Sequence, residues 1–356
     1  MKSAGNNRTV ALIEVGGSHD ECLLSQMHAL NTTGNRVVMV CTPEIRERNP
    51  IFDSYVDKYF VTHFHGSGLK DFGTMRAALK FMKQEKVEKA ILNTAQGSHV
   101  RNLCWVARIS PIEFIGIIHT TRKFQGSFTQ KSISKTVKKY LVLSEHLLKS
   151  IEVPKGVKVD YFYPIRFNKK EWNIPKTEGF DVTIIGGVES RRKDLKGFVK
   201  MIEGVDPPVH FTFLGKSNNG DEEVAAFKKE LKEKGLMDRV KLYDHFVSQD
   251  DFDVHLQHTD AILPLIHPDT PSADEYFKNQ IAGAMSVAFG YKIPLLLHKG
   301  YENIEEMKAA SFYYSQDEFP TVLDQALSSI DEKRKEMEQA YSIEEQEQRY
   351  LSFLFE

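Results

Sequence analysis

Cysteine is scarce in this chain: its 356 residues hold three, Cys22, Cys41 and Cys104, far apart and without a CxxC pair. Such spacing specifies neither a disulfide framework nor a zinc site, and it fits a reducing compartment. Net charge is also small, since 47 basic and 49 acidic side chains leave a formal −2. Proteins that track nucleic-acid backbones carry a marked basic excess, so a dedicated nucleic-acid binder is disfavoured. No apolar run approaches the ~20 residues that span a bilayer. Residues 1–9 lack the apolar core of a secretion signal. A cytoplasmic protein is expected, at most lying against the inner face of a membrane.

The length suits two domains of roughly 150 to 200 residues. Short β-branched runs alternate with amphipathic stretches: residues 10–15 (VALIEV), 37–41 (VVMVC), 90–92, 114–118 (FIGII) and 140–143 (YLVL). Apolar runs bounded by turn residues and spaced by helical patterns predict parallel strands with crossover helices. The pattern lapses over 163–176, where Pro164 and Pro175 resist helix. It restarts with strand candidates at 182–185, 211–214, 240–242, 261–265 (AILPL) and 293–297 (IPLLL). Helices are expected at 196–203, 222–234 and 278–289. The tail, 330–356, reads as helical, and its aromatic end needs a surface to bury against. The fold expected is α/β, two Rossmann-like domains facing across a cleft. Residues 1–165 form the first domain, 176–335 the second, and 336–356 a C-terminal helix returning to the first.

Ligands of open parallel sheets bind beyond the carboxyl ends of the strands. After the first strand come Gly16, Gly17, Ser18, His19, Asp20 and Glu21, where glycines allow close backbone approach and a helix start favours anions. This is not the GxGxxG dinucleotide fingerprint, and a plain tight turn is the alternative. His119 stands at the end of FIGII, flanked by Thr120 and Thr121, and His99 follows the 90–92 strand. His63 and His65 have a spacing compatible with a metal. No carboxylate or cysteine lies close in sequence to complete a shell, so a plain loop is favoured.

The second half is more informative. Gly186-Gly187 leads into Arg191, Arg192 and Lys193 at a strand end, a combination suited to a diphosphate. A solvated charge run is the alternative. Further on, Asp274 and Glu275 lie in an acidic loop that feeds the small residues Ala282, Gly283 and Ala284. Carboxylates there can accept sugar hydroxyls while a helix N-terminus holds phosphate. Helix–sheet packing is the alternative for Gly283.

These stretches together resemble glycosyltransferases of the GT-B fold, nearest to family four. FIGIIHTTRKFQGSF resembles the family's first-domain strand ending in a histidine, and KKYLVLSEHLLKSI its strand-Ser-Glu-helix segment. VDYFYPI resembles the passage into the linker, and GGVESRRKDLKGF the glycine-Arg…Lys element. DEYFKNQIAGAMSVAFGYKIPLLL resembles the acidic motif, helix and following strand. The resemblance implies a metal-independent hexosyltransferase of cell-surface polysaccharide synthesis, with a nucleoside-diphosphate sugar as co-substrate and no further cofactor. It assigns His119, Glu275 and Asp274 to catalysis. Gly187, Arg191, Arg192, Lys193, Lys216, Asn279, Ala282 and Gly283 go to the donor. Gly16, Gly17, His19, Asp20 and His99 go to the acceptor side.

One departure stands out. The family pairs glutamates eight positions apart, and eight beyond Glu275 stands Gly283. Retention or inversion at the anomeric carbon is therefore left open. Arg122, Lys123, Lys131, Lys135, Lys138 and Lys139, with Phe124 and Phe128, suit peripheral contact with anionic lipid and a glycan or lipid-linked acceptor. The rival readings are a UDP-sugar 2-epimerase and a non-catalytic nucleotide-sugar or glycan binder. A nicotinamide oxidoreductase ranks last.

Overall fold

The computed structural model describes residues 8–64, 71–176, 178–218 and 220–356. The chain divides into two compact units: the first runs to Asn168 and also takes up Ile343–Glu356, and the second is Lys169–Ser342.

Strands and helices alternate through the first unit. In order they are β1 (Thr9–Glu14), α1 (Leu23–Thr32), β2 (Arg36–Cys41), α2 (Pro43–Arg48), β3 (Lys58–Val61), α3 (Phe72–Gln84) and β4 (Val87–Leu92). Then follow α4 (Gly97–Ala107), β5 (Glu113–Ile118), α5 (Phe128–Ile133), β6 (Lys139–Val142), α6 (Glu145–Ser150) and β7 (Lys158–Tyr161). Among the described residues they make a seven-stranded sheet ordered β3-β2-β1-β4-β5-β6-β7. Its neighbours all pair in parallel. Helices cover both faces of such a sheet, so its central strands carry apolar residues continuously rather than alternately. Val10, Ala11, Leu12 and Ile13 of β1 are accordingly all buried.

The second unit repeats the pattern with β8 (Phe180–Ile185), α7 (Leu195–Glu203), β9 (Val209–Lys216), α8 (Glu222–Glu233), β10 (Val240–Tyr243) and α9 (Gln249–His258). It continues with β11 (Ala261–Ile262), α10 (Ala273–Lys278), α11 (Gly283–Tyr291), β12 (Leu295–His298), β13 (Ser311–Tyr314) and α12 (Phe319–Ala340). Its parallel sheet runs β10-β9-β8-β11-β12-β13. Side chains of Asp194, Asp221 and Ser248 accept backbone N–H bonds at the starts of α7, α8 and α9. Each satisfies a donor that has no partner inside its helix.

Three local expectations need correction. The helix expected over 278–289 is interrupted, because Ala282 is extended (φ −75°, ψ 136°) and α11 starts afresh at Gly283. The strand expected over 261–265 stops at Ile262, since Pro264 offers no N–H and Leu265 turns left-handed at φ 59°. The tail is two helices, α12 and then α13 (Ile343–Phe355), separated at Tyr341 where φ and ψ are −125° and 63°.

Helix α13 is part of the first unit. Tyr350, Phe353 and Leu354 are buried there, and side chains of this size contribute about 1.5–3 kcal/mol each on full burial. The Tyr350 ring lies 5.0 Å from that of Phe162. Glu347 binds His28 at 2.9 Å and also Arg166. Gln346 Oε1 accepts the backbone N–H of Tyr163 at 3.0 Å.

Candidate functional site

Strand order reverses direction between β1 and β4 in the first unit and between β8 and β11 in the second. Adjacent loops diverge at such switch points and open a crevice there. The sequence candidates concentrate around these two places.

At the first switch point, Glu14 closes β1 with a fully buried carboxylate. Its oxygens accept from Gly16 N at 2.7 Å, Asn93 Nδ2 at 2.7 Å and Thr94 Oγ1 at 2.6 Å. Burial raises its pKa, against the pull of those three donors. The acid thus holds the glycine turn: a Cβ on Gly16 would sit 3.0 Å from Glu14 Oε1, whereas one on Gly17 would meet nothing. His19 follows in the left-handed region at φ 67°. Its carbonyl accepts from Asn93 Nδ2 at 2.8 Å.

That turn lays the His19 ring on the His119 ring, with centroids 3.8 Å apart and planes 23° from parallel. His119, at the end of β5, is buried and bonds through Nε2 to the Asn93 carbonyl at 2.8 Å. A carbonyl only accepts, so the proton sits on Nε2 and Nδ1 carries a lone pair. Burial, then the neighbouring His19, pushes the His119 pKa down to about 3. Burial also opposes a proton on His19, but Glu21, Glu14 and Asp20 outweigh it and hold that pKa above the usual value. The pair is one fixed neutral imidazole beneath a more exposed, more basic one.

The remaining acceptor-side candidates divide. Asp20 is engaged by Arg48 at 2.7 Å and Asn49 at 2.6 Å, and Arg48 also holds the Gly17 carbonyl at 2.9 Å. His99 lies within α4 instead of a loop, 3.2 Å from Asp71, with its ring near Phe64. Among the described residues, none of its contacts reaches the stacked pair. His65 lies outside the described residues. Among the described residues, no group of three or more His, Cys, Asp or Glu is placed to hold a metal ion.

At the second switch point the backbone turns tightly. Gly186 has φ 93°, and a Cβ on Gly215 of β9 would stand 2.4 Å from the Gly186 carbonyl. Only glycine lets these two strands approach so closely. The three cations beyond the turn separate by environment. Arg191 and Arg192 are about half exposed, 3.8 and 3.5 Å from Glu189. Lys193 is buried, with Nζ donating to the Ile185 carbonyl at 2.8 Å. Burial, then Arg192, lowers its pKa to about 8. Lys216 is exposed at the end of β9, and its carbonyl accepts the Val188 N–H at 3.1 Å, near Gly187.

Asp274 and Glu275 stand in the first turn of the short helix α10 rather than in the loop expected. The residue before that helix ties it to the cation loop: Ser272 N and Oγ both bond the Arg191 carbonyl, at 3.2 and 2.7 Å. Asp274 points to solvent and pairs with Lys278 at 2.7 Å. Glu275 is half buried, and its carbonyl accepts the backbone N–H groups of Asn279 at 2.9 Å and Gln280 at 3.0 Å. Gly283 is exposed as the first residue of α11, with open space where a side chain would go, and Ala282 precedes it. Beneath these loops, Asp194 accepts from His267 Nδ1 at 2.7 Å, Gln316 Nε2 at 2.6 Å and Gly197 N at 2.8 Å. The other ring nitrogen of His267 meets the Tyr314 hydroxyl at 2.8 Å. Burial raises the Asp194 pKa, but these donors prevail and lower it. Leu265, left-handed at a cost of roughly 1–2 kcal/mol, aims its carbonyl at Asp194 N, 3.1 Å away.

Sequence reasoning missed Glu14 and Asn93 in the first unit, and Asp194, His267 and Gln316 in the second. A polar residue directly ending an apolar run, as in VALIE or AILN, was the available signal.

No protein-family model and no curated protein matches the chain. Solved structures do. A glycosyltransferase from Rickettsia africae superposes with a TM-score of 0.69 at 10% identity, covering 98% of this chain and 97% of its own. Anabaena HepE in complex with UDP and glucose gives 0.68 at 11% identity, over 98% and 99%. A putative UDP-N-acetylglucosamine 2-epimerase from Listeria monocytogenes gives 0.63 at 11% identity, over 97% and 95%. The likeness is one of fold: two Rossmann-like parallel-sheet domains, as in GT-B glycosyltransferases.

Proposed function

We propose that this protein is a glycosyltransferase that moves a hexose from a nucleoside-diphosphate sugar to a glycan or lipid-linked acceptor, without a metal. The supporting observation is the cationic glycine turn at the β8–β11 switch point, with Lys193 buried beneath it. Departure of a nucleoside diphosphate leaves charge on phosphate. Preorganised cations and helix N–H groups aimed at developing charge lower such a barrier. Arg192, Lys193 and the start of α11 at Gly283 take this role, with Arg191, Gly187, Lys216, Asn279 and Ala282 lining the donor side. Glu275 accepts sugar hydroxyls, and Asp274 supports the first turn of α10 beside it.

In the first unit, His119 offers its Nδ1 lone pair to a sugar hydroxyl, and Gly16, Gly17 and His19 face the acceptor. Asp20 fixes the turn through Arg48, and His99 is the most peripheral of the acceptor-side group. A thermal-shift screen with UDP, GDP, ADP, CMP and NADH tests this reading. Stabilisation by a nucleoside diphosphate, with slow hydrolysis of its sugar ester, is expected. Stabilisation by NADH alone overturns it. The epimerase reading, favoured by the Listeria neighbour's fold, requires a C2-epimerised nucleotide sugar to form with no acceptor present.

Peripheral membrane contact belongs to the same proposal. Arg122, Lys123, Lys131, Lys135 and Lys138 are exposed, as is Phe128 at 71%. Phe124 is buried, and Lys139 is tied to Glu113 at 3.5 Å. Beside α5, α4 exposes Trp105 and the turn that follows it exposes Ile109, and Trp105 Nε1 donates to Ser132 Oγ at 2.6 Å. Between Gly97 and Tyr140 the only acidic residue is Glu113. Apolar side chains among cations suit an anionic lipid surface. Among the described residues, no helix is long and apolar enough to cross a membrane.

A further inference from the structure

The first unit contains a buried polar relay that starts in its last helix. The Tyr350 hydroxyl donates to Gln26 Oε1 at 3.1 Å. Gln26 Nε2 donates to the Cys22 carbonyl at 3.0 Å and to Asn93 Oδ1 at 2.7 Å. Asn93 Nδ2 donates to Glu14 Oε2 at 2.7 Å and to the His19 carbonyl at 2.8 Å, while its own carbonyl receives His119 Nε2 at 2.8 Å. Tyr350, Gln26, Asn93 and Glu14 are each at most 1% exposed.

Direction is fully assigned along this path. Glu14 accepts, so the Asn93 NH2 faces it and the Asn93 Oδ1 faces Gln26. Gln26 must then turn its NH2 to Asn93, which leaves Oε1 in need of a donor. Among the described residues, the only donor reaching Gln26 Oε1 is the Tyr350 hydroxyl. Without it, a buried acceptor is left unsatisfied, and Gln26 gains by rotating away from Asn93. Asn93 then loses the bond that fixes its amide, and with it the hold on the His19 carbonyl and on the segment that receives His119.

We propose that Tyr350 is a positioning residue: through Gln26 and Asn93, helix α13 sets the geometry of the stacked His19–His119 pair. The functional importance of that pair rests on the glycosyltransferase reading, but its geometry does not. The two therefore fail separately.

The test uses the full chain with 15N-labelled histidine and no ligand. The buried Nε2–H of His119 gives a solvent-protected ring N–H signal at neutral pH in the wild type. Tyr350→Phe removes one oxygen and keeps the ring against Phe162, so the protein folds. Loss of the protected His119 signal is expected in Y350F, with altered His19 ring shifts. Glu347→Gln is the comparison, since it weakens the hold of α13 on His28 and Arg166 without touching the relay. It should lower Tm while leaving the histidine signals in place. Histidine signals unchanged in Y350F, or displaced equally by both variants, overturn the proposal.

Discussion

The two switch points occupy corresponding places in two similar sheets, yet they are finished in opposite ways. The first is built around a buried carboxylate, two carboxamides and a histidine lacking a proton on Nδ1, with the carboxylate and carboxamides bonded to one another and to the backbone. The second is built around cations, one sunk under the strand end and two left in solvent, with an uncovered helix start nearby. A buried, directed network fixes a few hydrogen bonds in set orientations and suits the reading of hydroxyls. An open cationic turn attracts phosphate and tolerates variation in what carries it. Equivalent topology thus leaves the chemistry to the residues that end each strand.

The largest expected effect breaks the first region. Glu14→Ala removes the shared acceptor of Gly16 N, Asn93 and Thr94, and buried donors left without a partner cost about 1–3 kcal/mol each. A loss of roughly 3–5 kcal/mol is expected in urea denaturation of the whole chain. A loss under about 1 kcal/mol means that the network does not organise the turn.

Next comes the second region. Lys193→Met should weaken UDP binding by roughly tenfold to a hundredfold, as expected for a hydrogen bond to a charged group, with Tm retained or raised. The wild-type affinity carries a sign. Burial and Arg192 lower the Lys193 pKa to about 8; if it holds phosphate as the cation, as proposed, affinity should be full below that pH and decline as pH rises through it. Calorimetric titration from pH 6.5 to 9.5 should show the decline in the wild type and a flatter profile in K193M. An identical profile in both places the titrating group elsewhere.

A smaller effect sharpens the contrast. Arg191→Ala and Arg192→Ala, acting from solvent, should each cost UDP affinity a fewfold at low salt and almost nothing at high salt, because exposed charges are screened. Salt-independent losses in a titration series would move these side chains into the buried part of the site. The smallest effect concerns the membrane surface. Lys131→Ala and Lys135→Ala should each weaken sedimentation with phosphatidylserine vesicles by about 1 kcal/mol, with no change on neutral vesicles. Equal loss on both vesicle types argues against an electrostatic contact.

The paired parallel sheets were legible in the sequence because their central strands are apolar throughout. Two of the edge strands were not, although the one at Val240–Tyr243 was: KVDY and SFYY are partly exposed and lack such a run. The glycine turns at Gly16 and Gly186 and the strand-end histidine His119 stood out because strand, turn and helix signals adjoin there. Their partners did not. Glu14 lies 79 positions from Asn93, Asp194 lies 73 from His267, and Gln26 lies 324 from Tyr350. Nothing local in a sequence announces such pairs. Chain folding brings them together, and burial makes each depend on the other.

The return of α13 to the first unit also bears on synthesis. The second unit is continuous, complete once Ser342 has been made, whereas the first still lacks Ile343–Glu356 at that moment. Domains made on the ribosome usually finish in order from the N-terminus. Here the part begun first is completed last, and until then the groove for Tyr350, Phe353 and Leu354 is exposed to the surrounding proteome. A stop codon after Ser342 would leave a whole second unit attached to a first one that lacks its last helix.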